Sequence, residues 1–344
     1  MSARVLVLGG TAWLGGAVAR HALAAGHAVD CLARGVSGRV PEGARLVVGD
    51  RSTEGAYDAL GAGTDPAGDR YDLVVDVSRQ PGEVRGALDA LADRAARWVF
   101  VSSGSVYADH SVLGGGLGGT PLPLLPPLEG DTGGPEQYGE AKVACEDAVR
   151  ARRGDDALVA RSGLIAGYGD PSDRFGYWVG RCALAGQDGR PLLVPASLGQ
   201  GAQVLDVLDL AAWLVDAGLA GTTGTVDAYG PRRTLGEVVD VAAAVAGFDG
   251  ERVVVDDDAL RGAGVDEFMG PRSLALWLAD PAWLGFAAHE DVSARRAGLV
   301  ARPLEGTTTA ALAWEREQGL HRTGRRAGLD RADELALVER LAPR

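Results

Sequence analysis

The chain has 344 residues, 46% of them hydrophobic, which suits one large domain or two moderate ones with a packed core. A formal net charge of −13 repels phosphate backbones and anionic headgroups, so nucleic acid and membrane surfaces are poor partners. Cys31, Cys145 and Cys182 form no CxxC pair and the five histidines have no ligand-like spacing, which predicts reduced thiols in a cytoplasmic protein without a metal centre.

Residues 3–8 read as a buried strand, followed by Gly9-Gly10-Thr11-Ala12-Trp13-Leu14-Gly15-Gly16 and a helix to Ala25. The apolar run from Val5 to Val18 behind Arg4 imitates a signal peptide, but its glycines break it into strand, turn and helix. No apolar window is long enough for a membrane span. Further strands are expected at 29–33, 45–48, 73–77 and 98–101, with a helix over 83–96. This alternation predicts an α/β fold, a doubly wound parallel sheet of the Rossmann type, whose ligands lie at the carboxyl ends of the strands.

Residues 109–135 are rich in Gly, Pro and Leu and read as a long lid-like loop. A helix then runs from Tyr138 to about Arg152, and a sixth strand spans 158–161. Beyond Gly163 a smaller mixed α/β region is expected. It comprises strands at 203–207, 225–229 and 253–255, helices at 209–219 and 305–318, and a helix opened by the capping box Thr234-Leu235-Gly236-Glu237. The predicted divisions are a dinucleotide-binding domain at 1–165, to which strand 225–229 returns, a substrate-binding region at 166–320, and a charged helical tail at 321–344.

Lys142 is the only lysine, against 33 arginines, in a chain with no asparagine and one isoleucine. A position that keeps an ammonium in such a background requires its compact charge and rotatable donors. Tyr138 lies four residues upstream, on the same helix face. A positive charge nearby favours phenolate, so such a pair can exchange a proton with an alcohol or ketone. A solvated helix face is the competing interpretation. The glycine turn between the first strand and helix supplies backbone donors and a helix N-terminus for a pyrophosphate.

Gly9-Gly10-Thr11-Ala12-Trp13-Leu14-Gly15, Ser102-Ser103-Gly104-Ser105-Val106-Tyr107 and Tyr138-x-x-x-Lys142 together resemble an extended, somewhat atypical short-chain dehydrogenase/reductase of the NAD-dependent epimerase/dehydratase branch. Arg161-Ser162-Gly163, Asp206-Val207-Leu208-Asp209-Leu210 and Arg302-Pro303-Leu304 extend the similarity to about Gln318. The resemblance implies Ser103 as the hydroxyl that orients the substrate, with Ser102 and Ser105 as competitors. It implies Tyr138 as acid/base and Lys142 as the ligand of the nicotinamide ribose. Ala12 stands where the pattern has its middle glycine. Cofactor contacts are expected from Gly9, Thr11, Ala12, Trp13, Leu14, Gly15, Asp50 and Arg51.

Arg34 ends the second strand where NAD-preferring relatives carry an acid, so it can clamp a 2′-phosphate and predicts NADP ahead of NAD, unless it is an ordinary surface arginine. Asp170, Arg174, Tyr177, Trp178 and Arg181 follow the sixth strand and are candidates for a flat or anionic substrate, a nucleotide sugar or a natural-product ketone. Core packing accounts for them nearly as well. The leading expectation is an NADP-dependent oxidoreductase acting between a secondary alcohol and its ketone. A nucleotide-sugar epimerase or dehydratase and a catalytically inactive cofactor-binding regulator are the alternatives, and a homodimer is expected by resemblance.

Overall fold

A computed structural model describes residues 2–36, 38–60 and 70–342. Its frame is a seven-stranded parallel sheet. Strand β1 (Arg4–Leu8) leads through the glycine turn into α1 (Trp13–Ala24), followed by β2 (Ala28–Ala33), β3 (Arg45–Val48), β4 (Tyr71–Asp76), α2 (Pro81–Leu91), β5 (Ala95–Ser103), α3 (Tyr138–Arg153) and β6 (Ala157–Ser162). After β7 (Leu164–Ala166) come α4 (Gly176–Asp188), β8 (Leu192–Pro195), β9 (Val204–Asp206), α5 (Val207–Ala220) and β10 (Gly224–Ala228), the last of which returns to the main sheet beside β6. The remainder is α6 (Leu235–Ala246), β11 (Arg252–Val255), α7 (Asp257–Gly262), β12 (Asp266–Phe268), β13 (Ser273–Ala275), α8 (Val292–Arg296), α9 (Leu304–Gln318) and α10 (Arg331–Leu341).

The strand order β10-β6-β5-β4-β1-β2-β3 reverses direction between β1 and β4, which opens a crevice at the carboxyl end of β1. Alternating side chains build the two layers. Val5, Val7, Val75 and Val99 face the helices α1 and α5, while Leu6, Leu8, Val74 and Phe100 face α2 and α3. Both faces are therefore apolar, as a sheet covered on both sides requires.

The mixed region has its own core around Trp178, Leu193, Leu235, Trp277 and Leu312. Leu337 and Val338 of α10 are buried in that core. The expected helix at 83–96 is shorter and earlier. Pro81 starts it, as a proline suits a first helical turn, and residues from Ala95 already pair as strand. The capping box is present: Thr234 Oγ1 accepts from Glu237 N and Glu237 returns a contact to Thr234 N.

A candidate active site at the strand ends

The glycine turn is shaped by contacts that leave no room for side chains. Gly9 has φ +99°, a backbone conformation that favours glycine. A Cβ on Gly10 would lie 2.4 Å from Cys31 Sγ, and one on Gly15 would lie 2.2 Å from the Gly9 carbonyl oxygen. Ala12 caps α1 in extended conformation, its methyl exposed, and offers no side-chain hydrogen bond to the first turn. The first-turn N–H groups are thus left for an anion, which the helix dipole also favours. Trp13 donates from its indole to the Tyr168 carbonyl at 2.8 Å and so ties this turn to the loop before α4. Thr11 and Leu14 are half-buried in the same turn.

Tyr138 opens α3 beside the end of β5. This approach depends on Gly139, where a Cβ would lie 2.3 Å from the Ser105 carbonyl oxygen. Lys142, one turn on, is 2% exposed and donates to the carbonyls of Ser78 at 2.5 Å and Val101 at 2.6 Å. An ammonium has three donors, so one N–H remains for a ligand. Its Nζ lies 4.7 Å from the Phe100 ring centre and 6.0 Å from that of Tyr138.

The three serines separate cleanly. Ser102 is buried and donates to Glu146 Oε1 at 2.6 Å, so it braces α3. Ser103 is half-buried, and its Oγ accepts from Ser105 N at 3.1 Å and lies 3.2 Å from Ser105 Oγ. Behind them, Glu146 also accepts from Arg161 at 2.9 and 2.7 Å and from Arg150 at 2.6 Å. Tyr107 joins this network by donating toward Asp227 at 2.8 Å and accepting from Arg161 at 3.1 Å. Burial pushes both the Asp227 carboxyl and the Tyr107 hydroxyl above their ordinary ranges. The sequence analysis missed this braced layer, although Arg161 was noted as part of a motif.

At the outer end of the crevice, Arg34 is exposed just past β2. Asp50 folds its carboxylate onto Ser52, accepting from Ser52 Oγ at 2.7 Å and Ser52 N at 3.0 Å, which holds it below the usual carboxylate range with a smaller contribution from the charge of Arg34. The second strand brings no carboxylate to oppose a 2′-phosphate, yet this one from the third lies within electrostatic reach. Arg51 turns inward instead, where it donates to both Asp76 oxygens at 3.0 Å and to the Glu83 carbonyl at 2.8 Å. Its side chain is buried among these partners.

The five substrate candidates also divide. Arg174 stands 5.3 Å over the Phe268 ring and within electrostatic reach of Tyr138 and Asp170, with its Nε buried and unpartnered. Asp170 is buried, accepts from Ser172 N at 2.8 Å through one oxygen and leaves the other without a partner. Burial pushes its carboxyl up. Tyr177, Trp178 and Arg181 belong to the core: Trp178 donates to the Ala275 carbonyl at 2.7 Å, and Arg181 stacks 5.2 Å over Tyr177 and pairs with Glu334 at 3.1 Å. They anchor the C-terminal segment against α4, which is buried on nearly every side.

Beside Arg174, which stands over Phe268, lies a cleft of about 700 Å³ lined by Phe268, Leu278, Pro281, Trp283 and Phe286 together with Arg261, Glu267 and Asp280. His110, a few residues beyond β5, stacks on Trp283 at 4.9 Å and meets Phe286 edge-on at 5.0 Å. The cleft is thereby tied to the loop that follows β5. Among the described residues no group of His, Cys, Asp or Glu could hold a metal ion, and no helix is long and apolar enough to cross a membrane.

No family model and no curated protein matches the sequence. Solved structures do match in fold. The Bordetella bronchiseptica enzyme WbmG, in complex with NAD and UDP, superposes with a TM-score of 0.64 at 16% identity over 93% of this chain and 97% of its own. UDP-glucuronic acid 4-epimerase from Bacillus cereus, in complex with NAD, gives 0.59 at 13% identity over 92% and 99%. MoeE5, in complex with UDP-glucose and NAD, gives 0.59 at 18% over 92% and 99%.

Proposed function

From the fold of the extended short-chain dehydrogenases/reductases, shared with epimerases of the NAD-dependent epimerase/dehydratase branch, we propose that this protein is an NAD(P)-dependent enzyme interconverting a secondary alcohol and a ketone on a small molecule. The observation that supports the reading is Lys142, whose Nζ lies 6.0 Å from the Tyr138 ring centre and bonds the Val101 carbonyl, two residues before Ser103 at the end of β5. The residues fit a dinucleotide: the turn has no room for side chains at Gly10 and Gly15, α1 has no side-chain cap, and Lys142 keeps a donor free.

When bound, the nicotinamide supplies or accepts the hydride. Ser103 Oγ donates a hydrogen bond to the reacting oxygen and fixes its position. As the carbonyl carbon gains hydride, Tyr138 passes its hydroxyl proton to that oxygen, and it takes the proton back in the reverse direction. Lys142, pinned by two carbonyls, directs its remaining N–H to the ribose and places a positive charge near the phenol that loses the proton.

NADP is the proposed cofactor because Arg34 stands at the end of β2. NAD in the structural neighbours and the Asp50 carboxylate pull toward NAD. With Arg34→Ala, kcat/KM for NADPH should fall at least about tenfold with NADH little changed, and an unchanged NADPH preference would remove Arg34 from the account.

A second reading, nucleotide-sugar epimerisation by transient oxidation, is supported by the neighbours solved with UDP or UDP-glucose. Dehydration is disfavoured, since Gly104 and Ser105 stand where dehydratases of this branch carry acids. Incubating the purified protein with UDP-sugars and no added cofactor, then with ketones and NADPH, separates the two. Product in the first arm alone means epimerisation, and NADPH consumption in the second means net reduction.

A further inference from the structure

The cleft beside Arg174 has a chemistry of its own. Five of its lining side chains are apolar, three of them aromatic. The one cation in its lining, Arg261, is already paired with Asp258 at 2.6 Å and Glu267 at 2.9 Å. Glu267 spends its other oxygen on the N–H groups of Ala279 and Asp280, and Asp280 accepts from Ala282 N at 2.9 Å. Counting Arg261, Glu267 and Asp280, the walls carry a net charge of −1. A pyrophosphate placed against these walls would meet two carboxylates and an arginine that is already paired.

The backbone is also held unusually. Phe268 has φ +65°, a left-handed conformation that a bulky residue adopts only when its surroundings impose it. This conformation places the ring against both Phe286, at 5.2 Å, and the Arg174 guanidinium. No ion pair of Arg174 occurs among the described residues, and its buried Nε has no partner. A half-buried guanidinium whose Nε is buried without a partner leaves a donor for an oxygen acceptor.

We propose that the cleft lined by Phe268, Trp283 and Phe286 takes an uncharged aromatic ring of the substrate, with an oxygen beside that ring accepting from Arg174 and the reacting carbonyl directed to Tyr138. The substrate class is then a hydroxyaryl or related aromatic ketone, and a nucleotide diphosphate is the wrong occupant. This inference rests on the alcohol/ketone reading of the same site and narrows its substrate. A volume of about 700 Å³ accommodates a molecule of two to three fused rings.

The test is calorimetric titration of the full chain with 2-acetyl-1-naphthol and, separately, with UDP-glucose, each with saturating NADP⁺. The aryl ketone should bind and UDP-glucose should not. Trp283→Ala and Arg174→Leu, each checked for native circular dichroism, should weaken the aryl ketone at least about tenfold. Because Trp283 is already 42% exposed, its truncation spares the core, and Phe286→Leu serves as a second, milder probe. Tyr138→Phe should bind within about twofold of wild type, so a failure of turnover is distinguished from a failure of binding. Absence of aryl-ketone binding, affinity indifferent to Trp283→Ala, or UDP-glucose binding that Trp283→Ala weakens would each overturn the proposal.

Discussion

Glu146→Gln probes the layer that holds α3 in place. The carboxylate is fully buried and accepts from Arg161 twice, from Arg150 and from Ser102, thereby joining α3 to β5 and β6. Neutralising it leaves the Arg161 guanidinium, 5% exposed, without its counter-charge. Breaking one side of such a pair costs about 3–5 kcal/mol, whereas replacing both partners by apolar groups costs far less. Urea unfolding of Glu146→Gln, Arg161→Met and the double variant should therefore give a coupling energy of about 2 kcal/mol or more. Burial alone would raise the Glu146 carboxyl, but its bonds to Arg161 outweigh that and hold it below the ordinary 4.5. A lowered folded value stabilises above the unfolded value, and the contribution fades as pH falls through the folded one. The gap between wild type and Glu146→Gln should accordingly narrow as pH falls below the ordinary 4.5 and through the lowered folded value. Additive single-variant effects, or a loss under about 1 kcal/mol for Glu146→Gln, would refute the reasoning.

Gly15→Ala forces a methyl to within 2.2 Å of the Gly9 carbonyl oxygen, so α1 must move away from the turn. It should cost about 1–3 kcal/mol in unfolding experiments and weaken cofactor binding measured by calorimetry at least about tenfold. His289 is buried between the Tyr229 and Tyr107 rings at 4.3 and 5.6 Å, and burial pushes its imidazole down to about 4. The facing Gly115 carbonyl can only accept, so Nδ1 carries the proton of the neutral ring. Unfolding restores an ordinary value near 6.5, so the stability His289 contributes is present above that pH and lost as pH falls toward 4, by about 3 kcal/mol in all. Asp227, Tyr107, Tyr229 and His110 share the surroundings, and the raised Asp227 opposes the trend. The difference in pH-dependent urea midpoints between wild type and His289→Gln isolates the effect, and parallel curves would contradict it.

Local signals carried the parallel sheet and the candidate catalytic pair into the sequence. A five-residue apolar strand, a glycine turn and a helix are set by neighbours in the chain, and Lys142 stood out because arginine replaces lysine everywhere else. What escaped depends on partners far away in sequence. Arg51 has the position of a cofactor contact, yet Asp76 lies 25 residues on and turns it inward. Arg181 and Tyr177 sit on a helix that residues 328–334 cover, and Leu329 and Glu334 disclose that arginine's purpose. The aromatic cleft needs Phe268 in a backbone conformation that no propensity favours, and so no periodicity announces it.

The most direct test follows alcohol–ketone interconversion by mass spectrometry across a panel of aryl ketones and UDP-sugars, with NADPH present, for wild type and Tyr138→Phe. Wild type should convert at least one substrate, and Tyr138→Phe should do so at least about a hundredfold more slowly with its cofactor affinity unchanged. Tight cofactor binding without conversion of any substrate by wild type, or equal rates in the two proteins, would contradict the account.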